Sequence, residues 1–383
     1  MRSSGGEYDK QLIAAMAVLA LLGLISLWSG SIGFALRNGG PLAVIGKQAI
    51  VTLLSLVVFG VAALLPLSML RTLIPAMCLG SLALLVLPLL PGIGGTINNA
   101  KRWIRIGGFT LQPSEFWKPV MVLYMAHFLD RHREQIKGSS YAAMPALGFV
   151  ICAIFIITLQ SDFSTAALVA AIALAVLWFA GMKILFIVNI GGLAALYAVI
   201  VVLLSQYRLQ RILGYLNPEE HAQGASYQMI KSLRAIRAGG LLGTGIGLGT
   251  NKLASIPEIQ SDFIFAAYAE ETGFLGVVLF FALWAFIAWR VVKRLKDAHD
   301  FPRVAGLGIL SALLLQVLVN LAVVSGLIPT TGMALPFFSA GGTSVLATSF
   351  CFGLLVNFTA ATHIAPSFEP IYIHPVGRGA THV

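Results

Sequence analysis

The chain has 383 residues, of which 58% are hydrophobic and only 10% are charged. Soluble globular domains carry roughly a quarter charged residues, so this composition excludes an ordinary soluble enzyme and indicates lipid as the main solvent. The net charge of +10 does not indicate a partner nucleic acid, because the basic residues are scattered through short loops rather than gathered on one exposed element.

Apolar runs of about 20 residues, long enough to cross a hydrocarbon core of about 30 Å, follow one another along most of the chain. We predict an all-α polytopic membrane protein with one domain over residues 1–365 and a short cytoplasmic tail over 366–383. The first run follows Arg2 and Lys10 without a cleavage signal, which predicts an uncleaved anchor. The ten predicted spans are 11–35, 42–66, 72–92, 113–129, 141–159, 164–181, 184–205, 263–291, 304–326 and 343–361.

The cysteines Cys78, Cys152 and Cys351 each lie within an apolar run. Their positions show neither metal-ligand spacing nor a disulfide framework. We therefore expect them to be small core residues.

The even number of spans predicts that both termini lie on the same side of the membrane. Basic residues cluster in short loops at 131–137 and 290–303. Although the overall charge bias is weak, the positive-inside rule then places these loops and both termini in the cytoplasm. The chain is accordingly predicted to be a multi-pass membrane protein with both termini in the cytoplasm.

The longest connection, 206–262, joins the seventh and eighth predicted spans and is predicted to be extracytoplasmic. Connections of this length usually have a function or fold partly on their own. Residues 225–236 fit an amphipathic interfacial helix with Lys231 and Arg234 on one side, and the glycines from Gly239 to Gly249 must allow a turn or a close approach.

Two predicted outer stretches are basic, 101–105 with Arg102 and 231–252 with Lys252. They could form a basin that attracts an anion to the outer surface. Ordinary solvation of loops explains the same charges, and charge alone leaves both interpretations open.

Glu115 and Lys118 are ionisable residues at the outer end of the fourth predicted span. Charged residues at membrane depth are costly, so they usually face a partner or a cavity. Their spacing of three places both on one helical face, where they can meet. The pair either orders the helix bundle or lines a cavity for substrate.

Asp262, with Glu258 four residues before it, closes the long connection directly before an apolar span. A carboxylate at this boundary between water and membrane can contact a lipid headgroup and stay ionised, as a general base requires. Asp262 could also cap the following helix, and one residue can have both roles.

Polar and helix-breaking residues continue into the last spans. At least one of the adjacent Glu270 and Glu271 is expected to face protein, and Gln316 and Asn320 are expected to hydrogen bond to neighbouring helices. The breakers and hydroxyls at 329–344, which include Ser339, Gly341 and Gly342, indicate irregular backbone that is buried in protein or lines a cavity.

These motifs together resemble the SEDS family, the FtsW/RodA/SpoVE glycosyltransferases, and look closer to its FtsW/SpoVE branch. The resemblance covers about residues 10–361. It rests on Lys101-Arg102-Trp103-Ile104, Gln112-Pro113-Ser114-Glu115-Phe116, Pro257-Glu258, Asp262-Phe263-Ile264-Phe265-Ala266, Glu270-Glu271-Thr272-Gly273-Phe274, Gly326-Leu327-Ile328-Pro329-Thr330-Thr331-Gly332 and Leu335-Pro336-Phe337.

The resemblance implies a ten-helix enzyme in the cytoplasmic (inner) membrane of a bacterium, which polymerises lipid II into peptidoglycan strands with release of undecaprenyl diphosphate. It implies a class B penicillin-binding protein as partner, alongside other proteins of the division or elongation machinery. By motif, Asp262 matches the family's essential loop aspartate, and Glu115 and Lys118 match its paired charges. A divalent cation, Mg²⁺ or Mn²⁺, is a candidate cofactor at the diphosphate. The remaining expected substrate-binding or cavity-supporting residues are Arg102, Glu258, Lys252, Ser339, Gly341 and Gly342.

The chain departs from the family pattern at Ser161 and Ser164, where proline and glycine are usual, and at Ala340, which replaces a common tyrosine. The first two departures leave the role of Asp162 open. Two other functions remain alternatives, a flippase for a lipid-linked precursor and a noncatalytic scaffold. Transport predicts polar residues through the full membrane depth, whereas the ionisable residues here gather toward the outer half, which favours the enzyme.

Overall fold

The computed structural model describes residues 8–37, 41–97, 100–106, 109–217, 227–249 and 262–361. Seven of its helices are long and apolar enough to cross a membrane by length and composition. Two more apolar helices, Gln48–Leu64 and Phe163–Phe179, are shorter. The prediction of an all-α, polytopic membrane fold is confirmed.

The α-helices of the described residues occur in an order that matches the predicted spans. Ten of them, α1–α4, α6–α8 and α11–α13, correspond to the ten predictions. The bounds are α1 (Lys10–Arg37), α2 (Pro41–Leu64), α3 (Leu67–Val86), α4 (Pro113–Arg131), α5 (Arg133–Gly138), α6 (Met144–Leu159), α7 (Phe163–Phe179), α8 (Ile184–Leu203), α9 (Gln206–Leu216), α10 (Tyr227–Gly239), α11 (Ile264–Leu295), α12 (Asp300–Val324) and α13 (Gly342–Ala361).

A small antiparallel sheet lies between α3 and α4 and was not predicted. Its strands β1 (Gly94–Ile97), β2 (Ala100–Ile106) and β3 (Phe109–Leu111) pair in the order β1-β2-β3. Strand β2 contacts α4 and β3 contacts α13. The sheet thereby carries the basic stretch 101–105 to the N-terminal end of α4.

Helix α12 occupies the centre of the bundle, where it packs against α4, α7, α11 and α13. The outer helices are held by close backbone contacts. On α13, a Cβ at Gly353 would lie 2.5 Å from the carbonyl oxygen of Phe59 on α2. Nearby, the Asn357 amide donates to the carbonyl oxygens at the end of α2, at 3.1 Å for Ala62 and 3.1 Å for Ala63. Small residues that let helix backbones approach are the usual means of association in lipid.

Helix α11 breaks at Gly273, whose backbone has φ 65° and ψ −165°. The break removes hydrogen-bond partners on both sides, and the glycine-rich run after α10 replaces them. The amides of Thr244 and Gly245 donate to the carbonyl oxygens of Glu270 and Glu271 at 2.9 and 3.1 Å, and the amides of residues 274 and 275 donate back to carbonyls at 240 and 241. The predicted close approach of the glycines is therefore confirmed.

Asp9, directly before α1, anchors the opposite end of α11. Its buried carboxylate accepts hydrogen bonds from Nε of Arg290 at 2.5 Å and of Arg294 at 2.8 Å. Burial raises the pKa of Asp9, but the two arginines outweigh it and lower the pKa to about 2. Asp9 is therefore ionised at neutral pH.

The cysteine prediction holds for two positions of three. Cys78 and Cys351 are buried, whereas Cys152 is exposed. Cys152 lies on a face of α6 that the bundle leaves uncovered, as its exposed neighbour Ile151 does. The prediction of a core residue is thus wrong for Cys152, because apolar spans also bear lipid-facing residues.

Candidate active site

The candidate site lies where β2, the start of α4, the start of α11 and the segment 325–341 meet at one end of the bundle. The two described helices of the long connection, α9 and α10, lie at the same end. Arg211 on α9 donates to the carbonyl oxygen of Thr330 at 3.1 Å, and Ser232 on α10 donates to that of Val324 at 2.7 Å. The predicted amphipathic helix is thus present as α10, with a buried face that packs against α11.

Asp262 is partly exposed and precedes α11 by two residues. Phe263 occupies the N-cap position of α11 without a side-chain capping bond, so the interpretation of Asp262 as a helix cap is wrong. The backbone of Asp262 is fixed instead by Asn320, whose Nδ2 donates to its carbonyl oxygen at 2.9 Å and to that of Met333 at 2.8 Å. Asn320 therefore ties the aspartate to the 325–341 segment.

Gly332 brings the Asp262 carboxylate close to the Arg102 guanidinium. A Cβ at Gly332 would lie 3.5 Å from Oδ2 of Asp262 and 3.3 Å from Nη2 of Arg102. The φ of Gly332 is +76°, a conformation that favours glycine. A larger residue would be strained and would press on both the carboxylate and the guanidinium.

Arg102 is held by a second carboxylate, that of Asp162. Nη1 of Arg102 lies 3.2 Å from Oδ1 of Asp162, whose side chain is 1% exposed. Asp162 also accepts from Nε2 of Gln112 at 3.2 Å and caps α7 through the amide of Thr165 at 3.3 Å. Ser161 adopts a φ of +63°, which proline cannot adopt. The backbone of this turn therefore differs from one with proline at this position. Sequence reasoning left Asp162 without a role, and no local pattern connects it to a strand 60 residues earlier.

Glu115 and Lys118 form the predicted ion pair, with Nζ 2.8 Å from Oε1 and both residues buried. Nζ of Lys118 also donates to Oε1 of Gln316 at 2.6 Å, and Nε2 of Gln316 donates to the carbonyl oxygen of Ala334 at 2.8 Å. The pair does not contact Asp262 directly. Through Gln316 the pair is linked to the 325–341 segment. Asn320, one helical turn from Gln316 on α12, binds the same segment.

The turn before α13 contains the other predicted residues. Ser339 is buried, and its Oγ accepts from the amide of Leu335 at 2.7 Å. Gly341 and Gly342 lead into α13, where Thr343 accepts from the amide of Gln112 at 3.2 Å and donates to the carbonyl oxygen of residue 110 at 3.0 Å. Thr343 was not predicted as a site residue, although it belongs to the hydroxyl-rich stretch 329–344 that was predicted to be buried in protein or to line a cavity.

Glu270 and Glu271 are both buried, on the short segment of α11 before its break. Oγ of Ser29 on α1 donates to Oε1 of Glu271 at 2.6 Å. The expectation that at least one faces protein is confirmed for both. Two further predicted residues, Lys252 and Glu258, lie outside the described residues.

The divalent cation at the diphosphate stays a prediction, because one or two carboxylates together with substrate phosphates are enough to bind Mg²⁺. Among the described residues, no three or more His, Cys, Asp or Glu side chains are grouped to hold a metal ion. Asp262 and Asp162 each have the Arg102 guanidinium beside them, and that positive charge opposes a second cation.

The chain is similar to known proteins over nearly its whole length. The family model described as a cell cycle protein, FtsW/RodA/SpoVE, matches residues 9–364. The probable peptidoglycan glycosyltransferase FtsW of Trichlorobacter lovleyi is 37% identical, with 94% of this chain and 95% of that protein covered. Stage V sporulation protein E of Bacillus subtilis is 39% identical over 72% of this chain and 75% of its own length. A chain in the solved structure "Structural coordination of polymerization and crosslinking by a peptidoglycan synthase complex" matches with a TM-score of 0.76 and 26% identity, covering 93% of this chain and 98% of that one.

Proposed function

This chain belongs to the FtsW/RodA/SpoVE family, and on that premise we propose that it is a peptidoglycan glycosyltransferase that polymerises lipid II. The observation that carries the proposal is the carboxylate of Asp262, which is partly exposed at the end of the bundle and lies beside the Arg102 guanidinium across Gly332. A base and a cation side by side are what glycosyl transfer from a diphosphate requires.

In the proposed reaction, Asp262 accepts the proton of the acceptor sugar hydroxyl. The hydroxyl oxygen bonds to the anomeric carbon of the donor while the bond from that carbon to the diphosphate oxygen breaks. Undecaprenyl diphosphate leaves with the electron pair, and the single displacement inverts the anomeric centre.

We assign Arg102 to the leaving diphosphate. Lys118 is poorly suited, because it is buried and already bonded to Glu115 and Gln316. Arg102 is partly exposed, and Asp162 orients it by the 3.2 Å ion pair. Developing negative charge is stabilised most by a group that is oriented before the reaction begins.

The distribution of polar groups supports polymerisation over lipid flipping. Between α4 and α12 the hydrogen-bonded side chains extend only from the Asp262 end as far as Lys118 and Gln316. Over the next two turns the facing residues are apolar and buried, with Val122 and Met125 on α4 and Leu310 and Leu313 on α12, and a polar side chain, His127, returns only near the far end, where it packs against Phe301. A transport path would need polar groups through the remaining depth.

We also propose the partner and the orientation in the membrane. A class B penicillin-binding protein is the proposed partner, supported by the similarity to a chain of a peptidoglycan synthase complex. The chain is a multi-pass membrane protein, and we place both termini in the cytoplasm and the Asp262 end outside the cytoplasmic membrane. The basic residues at the opposite end support this orientation.

Replacement of Asp262 with asparagine tests the function. Asp262→Asn keeps the side-chain shape and the carbonyl that Asn320 binds, so we expect the melting temperature to stay within error. Loss of the base should lower the rate of lipid II polymerisation on the order of 10² to 10⁴-fold.

The measurement uses detergent-purified protein with its penicillin-binding partner and labelled lipid II. Glu134→Gln, an exposed carboxylate on α5 at the other end of the bundle, is the matched control and should retain full activity. Glu258→Gln should cost less than Asp262→Asn. Normal turnover by a folded Asp262→Asn protein would eliminate Asp262 as the base, and no glycan product from the wild-type complex would favour the scaffold.

A further inference from the structure

A cavity of about 360 Å³, lined by both charged and apolar residues, lies at the end of the bundle away from Asp262. Helix α4 starts at the Asp262 end and runs 19 residues, roughly 28 Å, before its last turn reaches this cavity. The cavity is formed by the end of α4, by α5, by the turn between α7 and α8, and by the start of α12. It is therefore separate from the candidate active site.

The cavity is lined by more positive than negative charge. Its basic residues are Arg133, Lys137, Lys183 and Arg303, and its acidic residues are Asp130 and Asp300.

Both acids already have partners. Asp300 pairs with Arg133, and Asp130 pairs at 3.1 Å with Arg71. Lys183 and Arg303, by contrast, form no ion pair with any residue that the structure describes. The cavity thus presents two cations whose charge no described acidic residue balances, which fits an anion.

The surroundings of the cavity indicate a lipid. Trp178 is 59% exposed and Tyr141 is 71% exposed, and each directly adjoins a residue that lines the cavity. Exposed Trp and Tyr of this kind mark the headgroup level of a membrane protein. Ile184 and Leu185, at the start of α8, are 57% and 70% exposed and continue this surface as an apolar one. A headgroup in the cavity would leave its acyl chains on that apolar face.

We propose that this cavity binds the phosphate headgroup of an anionic phospholipid in the leaflet opposite Asp262. Lys183 and Arg303 supply the positive charge, and the apolar lining residues Phe179 and Met182 accept the glycerol region. Basic pockets between spanning helices on the cytoplasmic side are suited to such headgroups. An acidic peptide or free phosphate would use the charges but not the exposed apolar face of α8.

The test compares two charge-matched double variants of the full chain in neutral detergent. Lys183→Gln/Arg303→Gln removes the cavity charges, while Lys293→Gln/Lys296→Gln removes two exposed charges at the same end of the bundle but outside the cavity. The melting temperature is measured with added phosphatidylglycerol, phosphatidylcholine or inorganic phosphate, and native mass spectrometry counts the retained lipids.

Phosphatidylglycerol alone should stabilise the wild type and the control. The cavity variant should lose retained lipid, and its apparent affinity for phosphatidylglycerol should fall on the order of tenfold or more. Lys183→Arg/Arg303→Lys, which keeps both charges, should restore binding and excludes misfolding as the cause.

Four results would overturn the proposal. The first is that phosphatidylglycerol stabilises the cavity variant as much as the wild type. The second and third are that phosphatidylcholine, or inorganic phosphate, stabilises the wild type as much as phosphatidylglycerol does. The fourth is that a partner protein is captured in a way that depends on Lys183 and Arg303 while phosphatidylglycerol has no effect. The third would assign the cavity to a free anion, and the fourth to an acidic protein segment.

Discussion

At the scale of single residues, two amides one helical turn apart on α12 hold the backbone of the candidate site. Asn320 binds the carbonyl oxygens of Asp262 and Met333, and Gln316 binds that of Ala334. Gln316 is itself held by Lys118. Removing the buried pair should therefore disturb the site by loosening this segment rather than by removing a group that touches substrate.

We predict that Glu115→Gln and Lys118→Met each lower stability and activity. Breaking a buried ion pair by removing one partner leaves an uncompensated charge and typically costs about 3–5 kcal/mol. The double variant has no such charge, so it should be more stable than either single variant. Melting temperature and polymerisation rate are measured for all three.

The chain offers a matched control for that experiment. Glu134 and Lys137 on α5 have the same spacing and a similar 2.7 Å contact, but their side chains are 81% and 58% exposed. Exposed pairs contribute about 0–1 kcal/mol, so Glu134→Gln and Lys137→Met should change little. If the double Glu115/Lys118 variant is stable but inactive, the pair acts on substrate and the supporting role is wrong.

Whether a contact in the site could be predicted from the sequence depends on how far apart its two residues are in the chain. Glu115 and Lys118 are three residues apart on one helix, so helical periodicity alone predicts their contact. Arg102 and Asp162 come from a strand and a helix end that only tertiary packing brings together. Nothing in the local sequence of either residue specifies the other.

At the scale of elements, apolar length predicted the helices well, because a span of lipid needs about 20 apolar residues whatever its neighbours are. The sheet was missed because its strands are short and a search for apolar runs passes over them. Asn98-Asn99 and Gly107-Gly108 separate its three runs, and such pairs favour turns. The break of α11 was missed because one glycine inside an apolar run is compatible with an unbroken helix.

We predict that Gly243→Ala is much more damaging than Gly247→Ala. Both glycines have positive φ, +80° and +86°, so alanine is strained by a similar amount at each. A Cβ at Gly243 would lie 2.1 Å from the carbonyl oxygen of Glu271, whereas nothing lies within 4 Å at Gly247. The clash should add about 1–3 kcal/mol or more.

Melting temperature and yield of the purified variants measure the difference. Gly247→Ala sets the cost of backbone strain alone, roughly 1–2 kcal/mol. Equal melting temperatures for the two variants would show that the glycine run does not repair the break of α11 as described.

At the scale of the whole molecule, the two ends of the bundle have different chemistry. One end holds Asp262 beside Arg102, under α9 and α10. The other holds the basic side chains around the cavity with Lys183 and Arg303, and the arginines that bind Asp9. Composition alone predicted a membrane protein. It could not predict which charged residues lie at the same end of the bundle, because their placement depends on how many times the chain crosses the membrane between them.

We predict that the Asp262 end faces away from the cytoplasm, because the described loops at the opposite end contain the dense basic clusters of 131–137 and 290–303. Two exposed glutamines report on the two ends, Gln210 on α9 and Gln135 on α5. Each is changed to cysteine in a chain whose three native cysteines are replaced by alanine. An impermeant maleimide added to intact spheroplasts should label Gln210→Cys and leave Gln135→Cys unlabelled until the cells are lysed. The reverse pattern would place Asp262 on the cytoplasmic side, away from the extracytoplasmic wall that the enzyme is proposed to build, and would refute the proposed polymerisation at this site.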